Sequence, residues 1–240
     1  MQPFSLEQFN GEMSRFLAGR PGQERIFEEG QALVQQLIAS PDFTRGVLER
    51  LAIDAEFAAL FFPSIDPNDL TLYRDPAGEF SVRLFVWDAS VPYPPHDHGS
   101  WGIVGALGGR TREVKWERLD RQNMPGYAEL RAKSEAVLSP GQTTWVLPLD
   151  EGIHSMQAVG VPTSLTLHVY GRAVRKGFIQ AYHPARNQVY RMYSPTLARR
   201  AVALHALGVI DAPWSKEVLR RALQDPRELI REEAELALSG

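Results

Sequence analysis

Residues 94–109, PPHDHGSWGIVGALGG, decide how this chain is read. Pro94 and Pro95 hold the approach extended, which makes the segment that follows a strand candidate. On a strand, positions i and i+2 share a face and stand roughly 6–7 Å apart. His96 and His98 therefore point the same way, and Asp97 points the other way, a poor position for a shared ligand. Two imidazoles at that spacing can converge on one ion. Taken alone, the pattern is a weak signal, and two histidines on a solvated strand are its commoner source.

Working outward, the same region is rich in strand signals. In FSVRLFVWD (80–88), Phe80, Val82, Leu84 and Val86 alternate with Ser81 and Arg83, while Phe85 and Trp87 make the second face apolar too. A strand covered on both sides reads this way. WGIVGAL, TREVKWERL, TTWVLPL and SLTLHVYG follow, separated by GGR, NMPG and SPGQ. Short strands punctuated by Gly, Pro and Asn, with no helical period between them, predict an antiparallel sandwich or barrel.

Helical patterning flanks this block. Ile26, Gly30, Leu33, Val34, Leu37 and Ile38 recur on one helix face over 24–39, ended by Pro41. A second face, Val47, Leu48, Leu51, Ala55 and Ala58, is stopped by Pro63, so residues 1–62 are expected to be helical and to pack on a barrel at 63–190. From Pro195 the helical period returns. Arg200, Ala206 and Leu207 recur 31 residues later as Arg231, Ala237 and Leu238. The 195–240 segment is similar to a HEAT-type repeat of about one and a half copies, too few to bury its own apolar face. It is expected to dock on the barrel, on a protein partner or on another copy of the chain.

Composition removes several kinds of chemistry. Among 240 residues there is no cysteine, which excludes disulfides, thiolate zinc sites, iron–sulfur clusters and cysteine nucleophiles. The formal net charge of −3 gives no support to a nucleic-acid or anionic-membrane partner, which needs a concentrated basic surface. The first residues lack the basic start and apolar run of a signal peptide, and no stretch approaches the ~18 apolar residues of a membrane span. A cytoplasmic location is the expectation.

A third histidine extends the motif. Gly152-Ile153-His154 lies 56 residues beyond His98, where a later strand pair would return beside the first. This arrangement resembles the cupin family. PHDHGSWGIVGALGG matches its first motif, with Gly108 and Gly109 near the closing glycine; PLDEGIHSMQA matches its second, with Pro148, Gly152 and His154. The usual cupin glutamate a few residues after the second histidine is missing, because Gly102 and Ile103 occupy that region. Loss of that glutamate is a feature of the thiol dioxygenase branch, and the resemblance covers roughly residues 70–185.

The resemblance implies a double-stranded β-helix, the cupin jelly-roll barrel, with helical flanks. It implies a mononuclear Fe(II) on His96, His98 and His154, and a small thiol such as cysteine or 3-mercaptopropionate oxidised by O2 to its sulfinic acid. Three neutral ligands would leave the ion its full charge and open positions. The same ligands also suit Zn(II) and a polarised water, and a ligand-binding, partner-docking cupin is a further alternative.

SLTLHVYG carries a second signal. Ser164, Thr166, His168 and Tyr170 alternate with Leu165, Leu167 and Val169, giving either one wet face or a polar relay. The branch carries Ser-x-His-x-Tyr on the corresponding strand, matched here by Thr166, His168 and Tyr170. The resemblance implies that Tyr170 reaches the reactants and His168 holds it. The Tyr–Cys cross-link of the animal enzymes has no counterpart in a chain without cysteine, and Gly102 lies near that position.

For a substrate carboxylate, Arg74 is the candidate by resemblance and Arg172 its rival, with Tyr73 and Trp101 as pocket or core residues. Trp116 and Trp145 are read as core, His183 as a turn residue, and His205 as exposed or packed on its helix. Glu113, Glu117 and Glu151 are spare carboxylates; for Glu113 and Glu117, which alternate with Val114 and Trp116, a solvated strand face is the simpler reading.

Overall fold

The computed structural model describes residues 4–54, 69–91, 93–122, 124–193, 195–210 and 212–239. Three helices come first: α1 (Leu6–Ala18), α2 (Gln23–Ile38) and α3 (Pro41–Ile53). Ser5 and Gln8 close a capping box at the start of α1. Pro41 both follows α2 and opens α3, its missing N–H costing nothing at a first helical position. The expected continuation through Ala55 and Ala58 to Pro63 lies outside the described residues.

Ten strands follow: β1 (Asp69–Arg74), β2 (Phe80–Asp88), β3 (Gly102–Gly108), β4 (Thr111–Arg118), β5 (Leu130–Leu138), β6 (Thr143–Val146), β7 (His154–Ala158), β8 (Thr163–Gly171), β9 (Phe178–His183) and β10 (Gln188–Tyr193). One antiparallel sheet runs β1-β2-β8-β3-β6, and β5-β4-β7 form a second. His96 bridges β7 at His154 and β9 at Ala181, which joins the β9–β10 pair to the second sheet. From β2 through the His96 segment, β3, β4, β5, β6 and β7 to β8, the chain passes repeatedly between the two sheets. That connectivity is a double-sheet jelly roll, the mainly β architecture of the cupin barrel.

The sheet containing β2 has two buried faces. Outward, Phe80, Val82, Leu84, Ile103, Leu167 and Val169 meet Phe9, Met13, Phe27, Val34 and Leu37 of α1 and α2. Each large side chain buried there contributes about 1.5–3 kcal/mol. Helix α2 lies flush on β3 because two glycines face the contact: a Cβ on Gly30 would stand 2.5 Å from Ile103 Cδ1, and one on Gly105 2.8 Å from Val34 Cγ1. Inward, Phe85, Trp87, Val104, Ala106, Leu138, Met156, Ala158 and Tyr170 form the barrel interior.

Trp145 is not core: it stacks on Phe27 at 4.4 Å and stays partly exposed, with the Lys115 ammonium 4.7 Å from its ring centre. Trp116 is half-buried and donates to Ser155 Oγ at 3.1 Å. Helices α4 (Pro195–Gly208), α5 (Pro213–Ala222) and α6 (Glu228–Ser239) share a small core of Leu204, Leu219, Ile230 and Ala234. Buried Glu233 ties them to β10, accepting from Arg191 at 2.7 Å and from Tyr193, while His205 reaches its other oxygen at 2.7 Å. Among the described residues no helix is long and apolar enough to cross a membrane.

Candidate metal centre

The extended 94–98 segment and β7 lie side by side, with His96 N–H donating to His154 O at 2.9 Å and His154 N–H returning to His96 O at 3.0 Å. This pairing brings three imidazoles together. One ring nitrogen from each of His96, His98 and His154 lies within 4.8 Å of the others, and all three side chains are buried. His98 Nε2 and His154 Nε2 come within 2.9 Å of each other. Two nitrogens about 2.1 Å from one ion at a right angle would stand about 3 Å apart, so the pair fits a shared metal with further positions open.

The far sides of two rings are already fixed. His96 Nδ1 donates to Pro94 O at 3.0 Å, and His154 Nδ1 donates to Glu113 Oε1 at 2.8 Å, which turns both Nε2 lone pairs toward the common centre. Burial, then the neighbouring His154 charge, push His96 down to about 3. Burial, then the neighbouring His96, His154 and His168 rings and Arg83, hold His98 well below the ordinary histidine range. Both rings are therefore neutral near pH 7, the state a metal requires. The donor set fits a divalent transition metal.

Glu113 is the main departure from the sequence reading. It is 2% exposed: its strand is paired with β7, and its carboxylate meets Thr144 of β6 in the facing sheet. Its Oε2 accepts from Thr144 Oγ1 at 2.8 Å. Burial raises its pKa, but the His154 hydrogen bond and charge outweigh that and hold it below the usual carboxylate range. Glu117 lies on the surface with Arg131, and Glu151 is exposed. Asp97 faces away from the centre, as its parity requires, and accepts from Arg175 Nη1 at 2.8 Å and Gln180 N–H at 2.7 Å.

Beside the histidines runs the polar row of β8. Thr166 Oγ1 meets His168 Nε2 at 2.8 Å, and His168 Nδ1 meets Tyr170 Oη at 2.8 Å. Trp87 Nε1, across from this row on β2, donates to Thr166 Oγ1 at 2.8 Å. The Tyr170 ring centre lies 4.8 Å from that of His98, so relay and histidines are contiguous. Burial, followed by the charges of His154, His96 and Arg83, keeps His168 well below its ordinary pKa. A Cβ on Gly102 would stand 2.9 Å from Tyr170 Cε1, so the glycine makes room for the phenol.

The substrate candidates separate. Tyr73 pairs with Val82 and packs on Phe80 at 5.5 Å, which puts it in the outer layer beneath α1. Trp101 belongs to that outer layer too and lies over Gly171. Arg74 is exposed, one strand removed from β8. Arg172 pairs with Glu79 at the surface. The arginine beside the relay is Arg83, paired with His168 across β2–β8, its guanidinium carbon 5.5 Å from the Tyr170 ring centre. His183 is exposed where β9 runs into a turn. A cleft of about 670 Å3 is lined by Arg118, Tyr193, His205 and Glu233, and not by His96, His98 or His154.

No protein-family model matches the chain. Over part of its length it is similar to a cupin 2 conserved barrel domain protein from Rhodopseudomonas palustris, at 16% identity and a TM-score of 0.37, covering 50% of this chain and 68% of that one. It is similar to the DMSP lyase DddQ from Ruegeria pomeroyi DSS-3 at 14% identity and a TM-score of 0.32, covering 44% of each chain. Hydroxypropylphosphonic acid epoxidase from S. wedmorenis matches at 19% identity and a TM-score of 0.32, over 42% of this chain and 49% of its own. The match thus spans about half the length of the lyase and of the epoxidase.

Proposed function

We propose that His96, His98 and His154 hold one Fe(II) ion and that the protein oxidises a small thiol acid with dioxygen to the sulfinic acid. The observation that carries this reading is the contact between two features: a cluster of three imidazoles with no carboxylate among them, and the Thr166–His168–Tyr170 relay packed against it. When bound, the iron supplies a positive charge that favours a thiolate and the redox capacity for its reaction with dioxygen. Sulfur gives up four electrons, dioxygen takes them, and both oxygen atoms end on sulfur.

The chain's own residues do the rest. Tyr170 presents a phenol beside the centre, and His168, held by Thr166 and Trp87, fixes where its proton sits. Arg83 offers a guanidinium, whose planar fork suits a substrate carboxylate. Phe85, Trp87 and Tyr93 wall the interior with aromatic surface: Phe85 lies 4.3 Å from the His168 ring and Tyr93 4.9 Å from that of His96. This keeps water from competing for the open positions.

The test is metal analysis of the purified protein combined with oxygen uptake on cysteine, 3-mercaptopropionate and cysteamine. Expected are bound iron and one dioxygen consumed per sulfinate formed. Iron-loaded protein that consumes no oxygen with any thiol overturns the reading, and zinc as the resident metal points to hydrolytic chemistry instead.

A further inference from the structure

Three imidazole ligands bring no negative charge to a bound divalent ion, and isolated charge is costly in a buried site. The chain answers one ring away. Glu113, on β4, stands in the inward row with Thr111, and its β7 partner is Met156 of the barrel interior. Its Oε1 accepts from His154 Nδ1 and its Oε2 from Thr144 Oγ1, both at 2.8 Å. This is the geometry in which a carboxylate orients a histidine ligand from its far ring nitrogen. His96, in contrast, is steered by the neutral Pro94 carbonyl.

We infer that Glu113 is the charge-compensating partner of the metal centre, acting through His154 to make that ring the strongest donor of the three and to favour the more highly charged state of the metal. The inference deepens the reading above and rests on its metal-binding half alone, not on the thiol chemistry. A carboxylate bonded to Nδ1–H raises the basicity of Nε2, and partners of this kind set metal affinity and potential. The missing carboxylate ligand is thus replaced by a carboxylate one hydrogen bond further out. Glu113 touches neither substrate nor metal, so its role is positioning and electrostatic.

Glu113→Gln separates charge from shape. The amide oxygen can still accept from His154 Nδ1, and its NH2 can donate to Thr144 Oγ1, but the negative charge is gone. Chelator competition with Zn(II) is expected to show a 10- to 100-fold loss of affinity. The Fe(III)/Fe(II) midpoint of the iron-loaded protein is expected to rise by about 59 mV for each tenfold loss of preference for the ferric state. Wild-type affinity and potential in a folded Glu113→Gln protein overturn the inference. A second measurement needs no variant: in the Zn(II)-loaded wild type, the His154 Nδ1–H proton resonates downfield of that of His96. The reverse order overturns the inference. Wild-type protein that holds no metal at all sinks the metal-binding reading itself, and this inference with it. Absence of thiol turnover, by contrast, leaves these readouts intact and counts only against the proposed reaction.

Discussion

Arg83 and His168 are directly opposed across the β2–β8 pair, so the guanidinium enters the same face as the relay and reaches the Tyr170 ring. Buried Asp69 holds it from the other side. Arg83→Lys keeps the charge Asp69 needs but loses the fork that grips a carboxylate in two places. The expected outcome is a KM for cysteine or 3-mercaptopropionate raised about 10-fold, the value of one charge-assisted hydrogen bond, with cysteamine unaffected. Arg74→Ala and Arg172→Ala, at exposed positions, are expected to change KM less than about 2-fold. Equal responses to carboxylate and non-carboxylate thiols in the Arg83 variant would place the anchor elsewhere.

Thr166 is the hinge of the relay, because one hydroxyl serves both Trp87 Nε1 and His168 Nε2. Thr166→Val keeps the shape and strands two buried polar groups, at about 1–3 kcal/mol of stability. With His168 no longer held, turnover is expected to fall about 10- to 100-fold. Thr166→Ser should recover most of both losses. A valine variant with full activity, measured by oxygen uptake, would remove the relay from the mechanism.

The features legible in the sequence are those written in local periodicity. Parity alone put His96 and His98 on one face and Asp97 on the other, and aligned Thr166, His168 and Tyr170. Two apolar faces on residues 80–88 announced a strand packed on both sides. What parity cannot say is which face of a strand turns inward when both carry polar residues. Glu113 alternates with Val114 as a wet face would, yet Thr144 of β6 and His154 of β7 enclose its carboxylate, a fact of register between segments over 30 residues apart. Arg83 sits in the inward row of β2 for the same reason, and its place beside the relay is visible only in its pairing with His168. Strand β5, nearly all exposed on the sheet edge, has no apolar alternation to reveal it.

Asp97 is a strut for the two histidines that flank it. Its side chain is fully buried and holds Arg175 and the Gln180 amide, which fixes the extended segment against β9. Asp97→Ala leaves Arg175 largely buried without its counter-charge, a loss of about 3–5 kcal/mol. For a chain of this size that is roughly a 10 °C drop in Tm, read by calorimetry or circular dichroism. A change under about 2 °C would mean that the pair stabilises nothing.

Acid should weaken the metal-free protein through its buried rings. His96 titrates near 3 in the folded chain, and burial holds His98 and His168 well below their ordinary range. In the unfolded chain each would titrate at about 6.5. Between those values the unfolded state binds more protons, so stability is complete above about pH 6.5 and declines as pH falls toward 3. Inside that window His96 contributes about 1.4 kcal/mol per pH unit, and His98 and His168 act in the same direction. Glu113, held low by His154, adds to the loss at more acidic pH, while Asp97, raised by burial, opposes it once protonated. Urea unfolding at pH 7, 6 and 5 isolates the histidines, because exposed carboxylates stay ionised there. His168→Gln should reduce the slope by one ring's share; a wild-type protein equally stable at pH 7 and pH 5 would mean that these imidazoles are open to water.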